Sequence, residues 1–210
     1  MASDNRTKAE INAIIGGASD TSGGGSSGSN SVIRMTSASG TTNWPVVVWD
    51  ADGAITVTTG GSSKVYSKYP VMFDIAAGDT VIEGNVKSLN CRDSGLTALD
   101  ISGNSGLLCL DCYNNDLTEL ELLHNEALER VDCCGNAITA LNLGSSSGLR
   151  YLNARCNKLT AETIGEALEG LSECCGRNGT VIIDHNAKPS EKGAAAIRAL
   201  NGYGWHVTAD

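Results

Sequence analysis

The sequence predicts a mainly β fold: a short solenoid of about four coils, preceded by a small β domain and closed by an α/β unit. Three observations carry this expectation. Apolar residues recur every 21 positions through the middle of the chain. Gly makes up 25 of 210 residues and aromatics only 4%, with a single Phe, so the core must be built from Leu, Ile, Val and Cys. That composition suits a repetitive architecture better than an ordinary enzyme. Beyond residue 159 the period stops, and helix and strand patterns alternate.

In chain order, residues 1–15 read as an anchor peptide. Ser3 or Asp4 can cap a helix over 4–15, and Ile11, Ile14 and Ile15 give it a narrow apolar face. So short a helix is marginal alone, so these three residues are expected to dock it on something. Residues 16–31, GGASDTSGGGSSGSNS, have linker composition. The GGGSSG run lacks the Lys-Ser/Thr and the preceding strand of a phosphate loop.

Residues 32–85 read as a small β domain that caps the N-terminal end of the repeats. Candidate strands are Val32–Ser37, Pro45–Asp50, Ala54–Thr58, Lys64–Ser67 and Val71–Ile75, with Thr80–Glu83 leading into the repeats. Asp50-Ala51-Asp52-Gly53 reads as a turn, since the later ligands and closing Glu of a calcium loop are missing.

Residues 86–159 carry the repeat. Leu89, Leu110, Val131 and Leu152 form one column. Val86, Leu107, Leu128 and Leu149 form a second, and Leu96, Leu117, Ile138 and Leu159 a third. Leu99, Leu120 and Leu141 follow the same spacing, as do Ile101, Leu122 and Leu143. Cys91, Cys112 and Cys133 continue to Ala154, and Ser94 precedes a polar column of Asn115, Asn136 and Asn157. The unit L-x-x-L-x-C-x-x-N-x-L-T-x-L-x-L is a leucine-rich repeat pattern, with one clear copy from Leu107 through Leu122. Alternation around Leu110-x-Cys112 predicts a short strand, and stacked copies predict a parallel sheet. The column Asn should turn the chain inward and bond the backbone of the neighbouring coil. Leu120-x-Leu122 should form a short strand on the opposite side.

The cysteine column therefore belongs to the core, where free Cys behaves as a small hydrophobe. Cys109-x-x-Cys112 is half of a zinc site without a second pair at suitable spacing, so no metal is expected. Cys134 and Cys156 fall on neighbouring coils near one edge, and both a disulfide and two free thiols stay open for them. The redox state of Cys174 and Cys175 is equally open. Over 160–210, Thr160 caps a helix reaching about Leu171 and Gly179–Asp184 forms a strand. Ser190 caps a second helix ended by Gly202, and Trp205–Thr208 is a last strand.

On these residues the chain resembles the 21-residue leucine-rich-repeat proteins of Bacteroides-type bacteria and their phages. The stretches that carry the resemblance are TVIEGNVKSLNC, LTALDISGNSGLLCLDCYNND, LTELELLHNEALERVDCCGNA and ITALNLGSSSGLRYLNARCNK. LTAETIGEALEGL and GYGWHVTAD look like that family's closing unit. The Trp49–Gly53 segment sits where such proteins carry a small β domain with a similar turn. The resemblance covers residues 32–210 and implies the fold rather than a function. Members are commonly surface adhesins with signal peptides. Met1–Gly17 has no apolar signal core, which shifts the expectation toward a phage virion protein.

Charge and motifs narrow the function classes. The net charge of -9 argues against nucleic acid and anionic membranes as partners. The chain also has no apolar run long enough to span a bilayer. His124, His185 and His206 lie in separate regions, and Asp184-His185 has no nucleophile motif beside it. Glu162, Glu166, Glu169 and Glu173 line one helix face as solvated charge. No enzymatic activity, catalytic residue or cofactor is expected.

Binding is expected instead, on the outward sheet positions. These form the columns Ser88, Cys109, Arg130, Tyr151; Asn90, Asp111, Asp132, Asn153; and Arg92, Tyr113, Cys134, Arg155. The candidate binding residues are Asp111, Tyr113, Arg130, Asp132, Tyr151, Asn153 and Arg155, a mix of polar groups and aromatics suited to glycan or protein. A merely solvated face is the competing reading. The expected protein is a non-enzymatic phage virion structural protein, a head or tail fibre or a capsid decoration, placed on the virion surface. Residues 1–31 dock it on a capsid or tail protein, and the repeats meet host-surface or mucus glycan or protein. Fibres of this kind are symmetric, so a homo-oligomer, a trimer, is the expected state, although no heptad pattern supplies a coiled coil. The alternative is a bacterial cell-surface adhesin whose signal peptide has been removed.

Overall fold

A computed structural model describes residues 31–38, 45–144, 148–174, 176 and 178–209. The expected anchor, with Ile11, Ile14 and Ile15, and the linker up to residue 30 lie outside the described residues, as does Cys175. In chain order the elements are β1 (Val32–Ser37), β2 (Val46–Thr59), β3 (Ser62–Tyr66), β4 (Val71–Phe73), β5 (Gly78–Asn90), β6 (Leu96–Asp100) and β7 (Cys109–Asp111). There follow β8 (Leu120–Glu121), β9 (Arg130–Asp132), β10 (Leu141–Asn142), β11 (Tyr151–Asn153), α1 (Ala161–Cys174), β12 (Thr180–Ile182), α2 (Glu191–Gly202) and β13 (His206–Thr208). Among the described residues the fold is mainly β: an 11-stranded mixed sheet, a second sheet of two strands, and two helices.

The 21-residue step of the sequence becomes a one-strand step across the large sheet. Leu89 pairs with Leu110, Leu110 with Val131 and Val131 with Leu152, all parallel. Each of the four is at most 1% exposed. Because strand side chains alternate, the residues on either side of this column face away from the interior. Behind the first row, β8 and β10 pair in parallel through Leu120 and Leu141. Cys91, Cys112, Cys133 and Ala154 are fully buried in one apolar cluster that runs from Ile33 to Trp205.

A chain that crosses an apolar interior every 21 residues must pair its buried main-chain groups, since each one left unmade costs about 1–3 kcal/mol. The Asn column does this. Asn115 accepts from the amides of Ser94 (3.1 Å) and Leu96 (3.0 Å) and donates to the carbonyls of Cys91 (3.0 Å) and Cys112 (2.9 Å). Asn136 and Asn157 repeat the pattern one strand on, from Leu117 to Cys133 and from Ile138 to Ala154. Asn186 continues it, accepting from Leu159 and donating to Ala154 and Ile183. The residue before each column position is left-handed: Asp93, Asn114, Gly135, Cys156 and His185 have φ between 51° and 68°. A second buried row, Asn104 and Asn125, serves the other bend. Asn104 pairs with both main-chain groups of Val86, and Asn125 donates to Ile101 and Asn104.

The N-terminal end closes with antiparallel strands. β5 pairs with β7 over Ser88–Asn90, while its first half pairs with β1. β1 then pairs along its other edge with β6, and β2 covers the free edge of β5. Val46, Val48, Ile55 and Val57 of β2 thereby join the core. Two sequence expectations change here. Pro45–Asp50 and Ala54–Thr58 are one 14-residue strand, and Asp50–Gly53 lies inside it rather than forming a turn. The pairing shifts between Asp52 and Thr56, so residues 53–55 bulge opposite Gly84. Gly84 has φ 127°, and a Cβ there would lie 2.9 Å from the Ala54 carbonyl oxygen. Asp and Gly mark bulges as readily as turns, which is why the composition misleads.

At the C-terminal end the unit lengthens. Tyr151 pairs with Thr180 and Thr180 with His206, both parallel, because α1 and α2 replace the short rear strand. Thr160 and Thr163 cap α1 reciprocally: the Thr160 hydroxyl accepts from the Thr163 amide (3.2 Å) and the Thr163 hydroxyl from the Thr160 amide (3.0 Å). Ser190 caps α2 through the Gly193 amide.

Asn115→Ala should destabilise the chain by roughly 3 kcal/mol or more, because it takes the side-chain partner from the Ser94 and Leu96 amides and the Cys91 carbonyl at once, while the Cys112 carbonyl keeps Asn136. Asn115→Asp should also destabilise, since a carboxylate cannot donate to the two carbonyls. The exposed Asn142→Ala should change stability by about 0.5 kcal/mol or less. Urea unfolding midpoints of the three variants check this.

Candidate functional site

The outward face of β7, β9 and β11 carries five of the seven binding candidates on three adjacent strands, with the other two just beyond the strand ends. Cys109, Arg130 and Tyr151 stand side by side in register, as do Asp111, Asp132 and Asn153. Tyr113 and Arg155 follow their strands by two residues. The face continues where the sequence period had ended, through Thr180 and Ile182 of β12 and His206 and Thr208 of β13. The signal for that continuation was Asn186, which extends the Asn column through the lengthened unit.

The polar row is built from strand-end turns. Each side chain accepts the amide two residues on: Asn90 from Arg92 (3.2 Å), Asp111 from Tyr113 (3.3 Å), Asp132 from Cys134 (3.2 Å) and Asn153 from Arg155 (3.3 Å). The outer amides then bracket the inner acids. Asn90 donates to Asp111 and Asn153 to Asp132, both at 3.1 Å. The row therefore reads Asn–Asp–Asp–Asn, locked by its own hydrogen bonds. These residues position the face first and present only their remaining lone pairs to a ligand.

Two carboxylates on neighbouring strands repel each other. Burial, and then the Asp132 charge, push the Asp111 carboxyl up to about 6, against the Tyr113 amide, Arg92 and Arg130, which favour the ionised form. Arg130 lies 3.9 Å from Asp132 and stacks over the Tyr151 ring at 3.8 Å from its centroid. The guanidinium thus bridges the acidic row to an aromatic surface.

The first outward column is less open than alternation suggests. Ser88 is 5% exposed and Cys109 6%, because short side chains between longer neighbours about 4.8 Å away are overtopped. Burial, then the Glu129 charge, push the Cys109 thiol up to about 11. Cys112, three residues on, is in the core beside Cys91 and Cys133, so the two thiols of the C-x-x-C face opposite sides of the strand. Burial, then the nearby Asp93 charge, raise the Tyr113 hydroxyl above its ordinary range, and Asn114 donates to the Asp93 carboxylate. Arg155 donates to His185 Nδ1 at 3.4 Å.

The rear row uses the same turn device. Asp100 accepts from Ser102, Glu121 from Leu123 and Asn142 from Gly144. A shallow depression of ≈ 450 Å³ lies there, walled by Asp100, Glu119, Glu121 and Asn142 over Leu99 and Leu120. Two hydrogen bonds from Ser102 hold the Asp100 carboxyl below its ordinary range. Among the described residues no helix is long and apolar enough to cross a membrane, and no three His, Cys, Asp or Glu side chains are grouped to hold a metal ion.

No family model, curated protein or solved structure matches this chain.

Asp111 keeps its proton to higher pH when folded than when unfolded. Its contribution to stability is full below about pH 4, the unfolded value, and falls as pH rises through about 6. Asn is already accommodated in this row at 90 and 153, so Asp111→Asn should stabilise the chain at pH 7 by roughly 1–3 kcal/mol. It should also flatten the decline between about pH 4 and 6. Urea denaturation across that pH range measures both effects.

Proposed function

We propose that the repeat units form a leucine-rich-repeat solenoid and that the chain acts by binding, not by catalysis. In this reading it is a phage virion structural protein, a head or tail fibre or a decoration of the capsid. Residues 1–15 dock on a capsid or tail protein, residues 16–31 act as a tether, and the repeat face meets surface glycan or protein. The observation that carries the reading is the locked outward row. Asp111, Asp132 and Asn153 are held in register by lateral and turn hydrogen bonds, with the Arg130–Tyr151 stack alongside. A face fixed before its ligand arrives loses little entropy on binding. Tyr and Arg are the side chains that most often dominate an interface. The Asn–Asp–Asp–Asn order supplies acceptors spaced by one strand, a pattern suited to sugar hydroxyls or to main-chain donors of a protein partner. Support for the tether comes from the sequence of residues 1–31 alone: an apolar-faced helix pattern followed by Gly and Ser.

The test pairs two assays. The full chain and a chain beginning at Ser31 are offered to purified capsid and tail proteins, and both are offered to host surface polysaccharide and envelope protein. The reading expects particle binding only with residues 1–31 present, and host-surface binding by both chains. Tyr113→Ala with Arg155→Ala should weaken the host-surface binding about tenfold or more without lowering the unfolding midpoint. Host binding by the Ser31 chain together with no particle binding by the full chain would instead favour a bacterial surface adhesin. Host-surface binding untouched by the double substitution would remove the repeat face from the account.

A further inference from the structure

Among the described residues the cysteines from Cys91 to Cys156 divide into unlike environments. Cys91, Cys112 and Cys133 are fully buried, and Cys109 is 6% exposed. Cys134 is half-buried and Cys156 is exposed, and both are free thiols. These two belong to neighbouring repeat units, whose main chains meet beside them: β9 and β11 pair in register, and just beyond the strands the Gly135 amide donates to the Arg155 carbonyl at 3.0 Å, so Cys134 and Cys156 adjoin that contact from either side. The main chain holds both in place. Cys134 donates its amide to Asp132 and its carbonyl accepts from Asn114, while the Cys156 amide donates to Asp184.

Cys156 is also out of character for its position. It has φ 54°, in the left-handed column otherwise filled by Asp93, Asn114, Gly135 and His185. Asp, Asn, His and Gly tolerate that conformation, whereas Cys has no local hydrogen bond to compensate for it. Neither core packing nor backbone preference accounts for a cysteine there. Its place across the Gly135–Arg155 main-chain contact from Cys134 does.

We propose that Cys134 and Cys156 form a redox-controlled covalent staple between adjacent repeat units at the edge of the outward face. The oxidant class is a peroxide. The exposed Cys156 thiol meets it first: Cys156–SH and H₂O₂ give Cys156–SOH and water. The Cys134 sulfur then attacks the Cys156 sulfur, the S–O bond breaks, and hydroxide leaves with the Cys134 proton as a second water. The net change is two thiols and one peroxide to one disulfide and two waters. Burial, then Asp132, push the Cys134 thiol up to about 11, opposed by Arg155, which fits a resolving thiol better than the first nucleophile. The staple closes a loop containing Gly135, Asn136 and the rear strand β10, so it ties down one whole repeat unit. It is independent of what the face binds, and it would persist in oxidising surroundings.

The full chain is treated with a small excess of hydrogen peroxide, digested with trypsin and mapped by mass. The expected product is one non-reduced species joining residues 131–150 to 156–158, about 2 Da lighter than its parts and absent after dithiothreitol. Cys134→Ser abolishes it, which separates Cys134 from Cys133 in the same peptide. Cys156→Asn abolishes it too and, as Asn is at home in the left-handed position, leaves the reduced chain at least as stable as the parent. Oxidation should raise the parent's Tm by roughly 6–12 °C, and neither variant's. Linkage of either cysteine to the 159–177 peptide, a covalent dimer, or Cys156 recovered as sulfinic acid with Cys134 still free would overturn the proposal.

Discussion

The carboxamides of buried Asn115 and Asn157 and of half-buried Asn136 and Asn186 let this chain turn through an apolar interior without stranding its main-chain groups. Each joins three segments: the strand end before it, the strand end of the preceding unit and the start of that unit's next stretch. No other side chain does this as well. The amide offers a donor and an acceptor in one plane, where Asp lacks the donor and Leu lacks both. Once the amides fix the rise from unit to unit, Leu110, Val131 and Leu152 have no register to occupy but the one seen. The left-handed residue before each Asn is the backbone cost of the same turn.

The outward face inherits its rigidity from this device. The strand that ends at an inward Asn turn begins that turn with an outward Asp or Asn accepting the amide two residues on. Folding and presentation therefore use the same residues, and the pairing of Asp111 with Asp132 is imposed by register. The fold tolerates it because Asn90 and Asn153 donate to the pair from either side and Arg130 stands beside it. A surface arranged this way is stiff and directional, as the proposed binding role requires.

Much of this could be read from the residues. The apolar columns, the Asn turn, the buried cysteines and the caps at Thr160 and Ser190 all follow from spacing or local chemistry, and each is where spacing put it. What escaped depends on neighbours distant in sequence. Asp50–Gly53 has turn composition, yet pairing with β5 turns it into a bulge against Gly84. Asn186 was hidden because the helices lengthen the unit and break the period that would have revealed it. Cys109 sits at an outward position but is covered, since exposure is set by the length of its neighbours as well as by alternation. The second Asn row at 104 and 125 keeps the 21-residue spacing, and its burial shows only once both bends are seen.

The central claim is that the column Asn side chains, and not the apolar columns alone, hold the repeat units in register. Hydrogen exchange of the side-chain amides, resolved by NMR, tests it most directly. The account predicts that the Asn115, Asn136, Asn157 and Asn186 side-chain protons exchange as slowly as the backbone amides of Leu110 and Val131, while those of exposed Asn142 exchange at the rate of a free amide. If the four column amides exchange as fast as Asn142, they do not carry the fold, and apolar packing alone must account for the register.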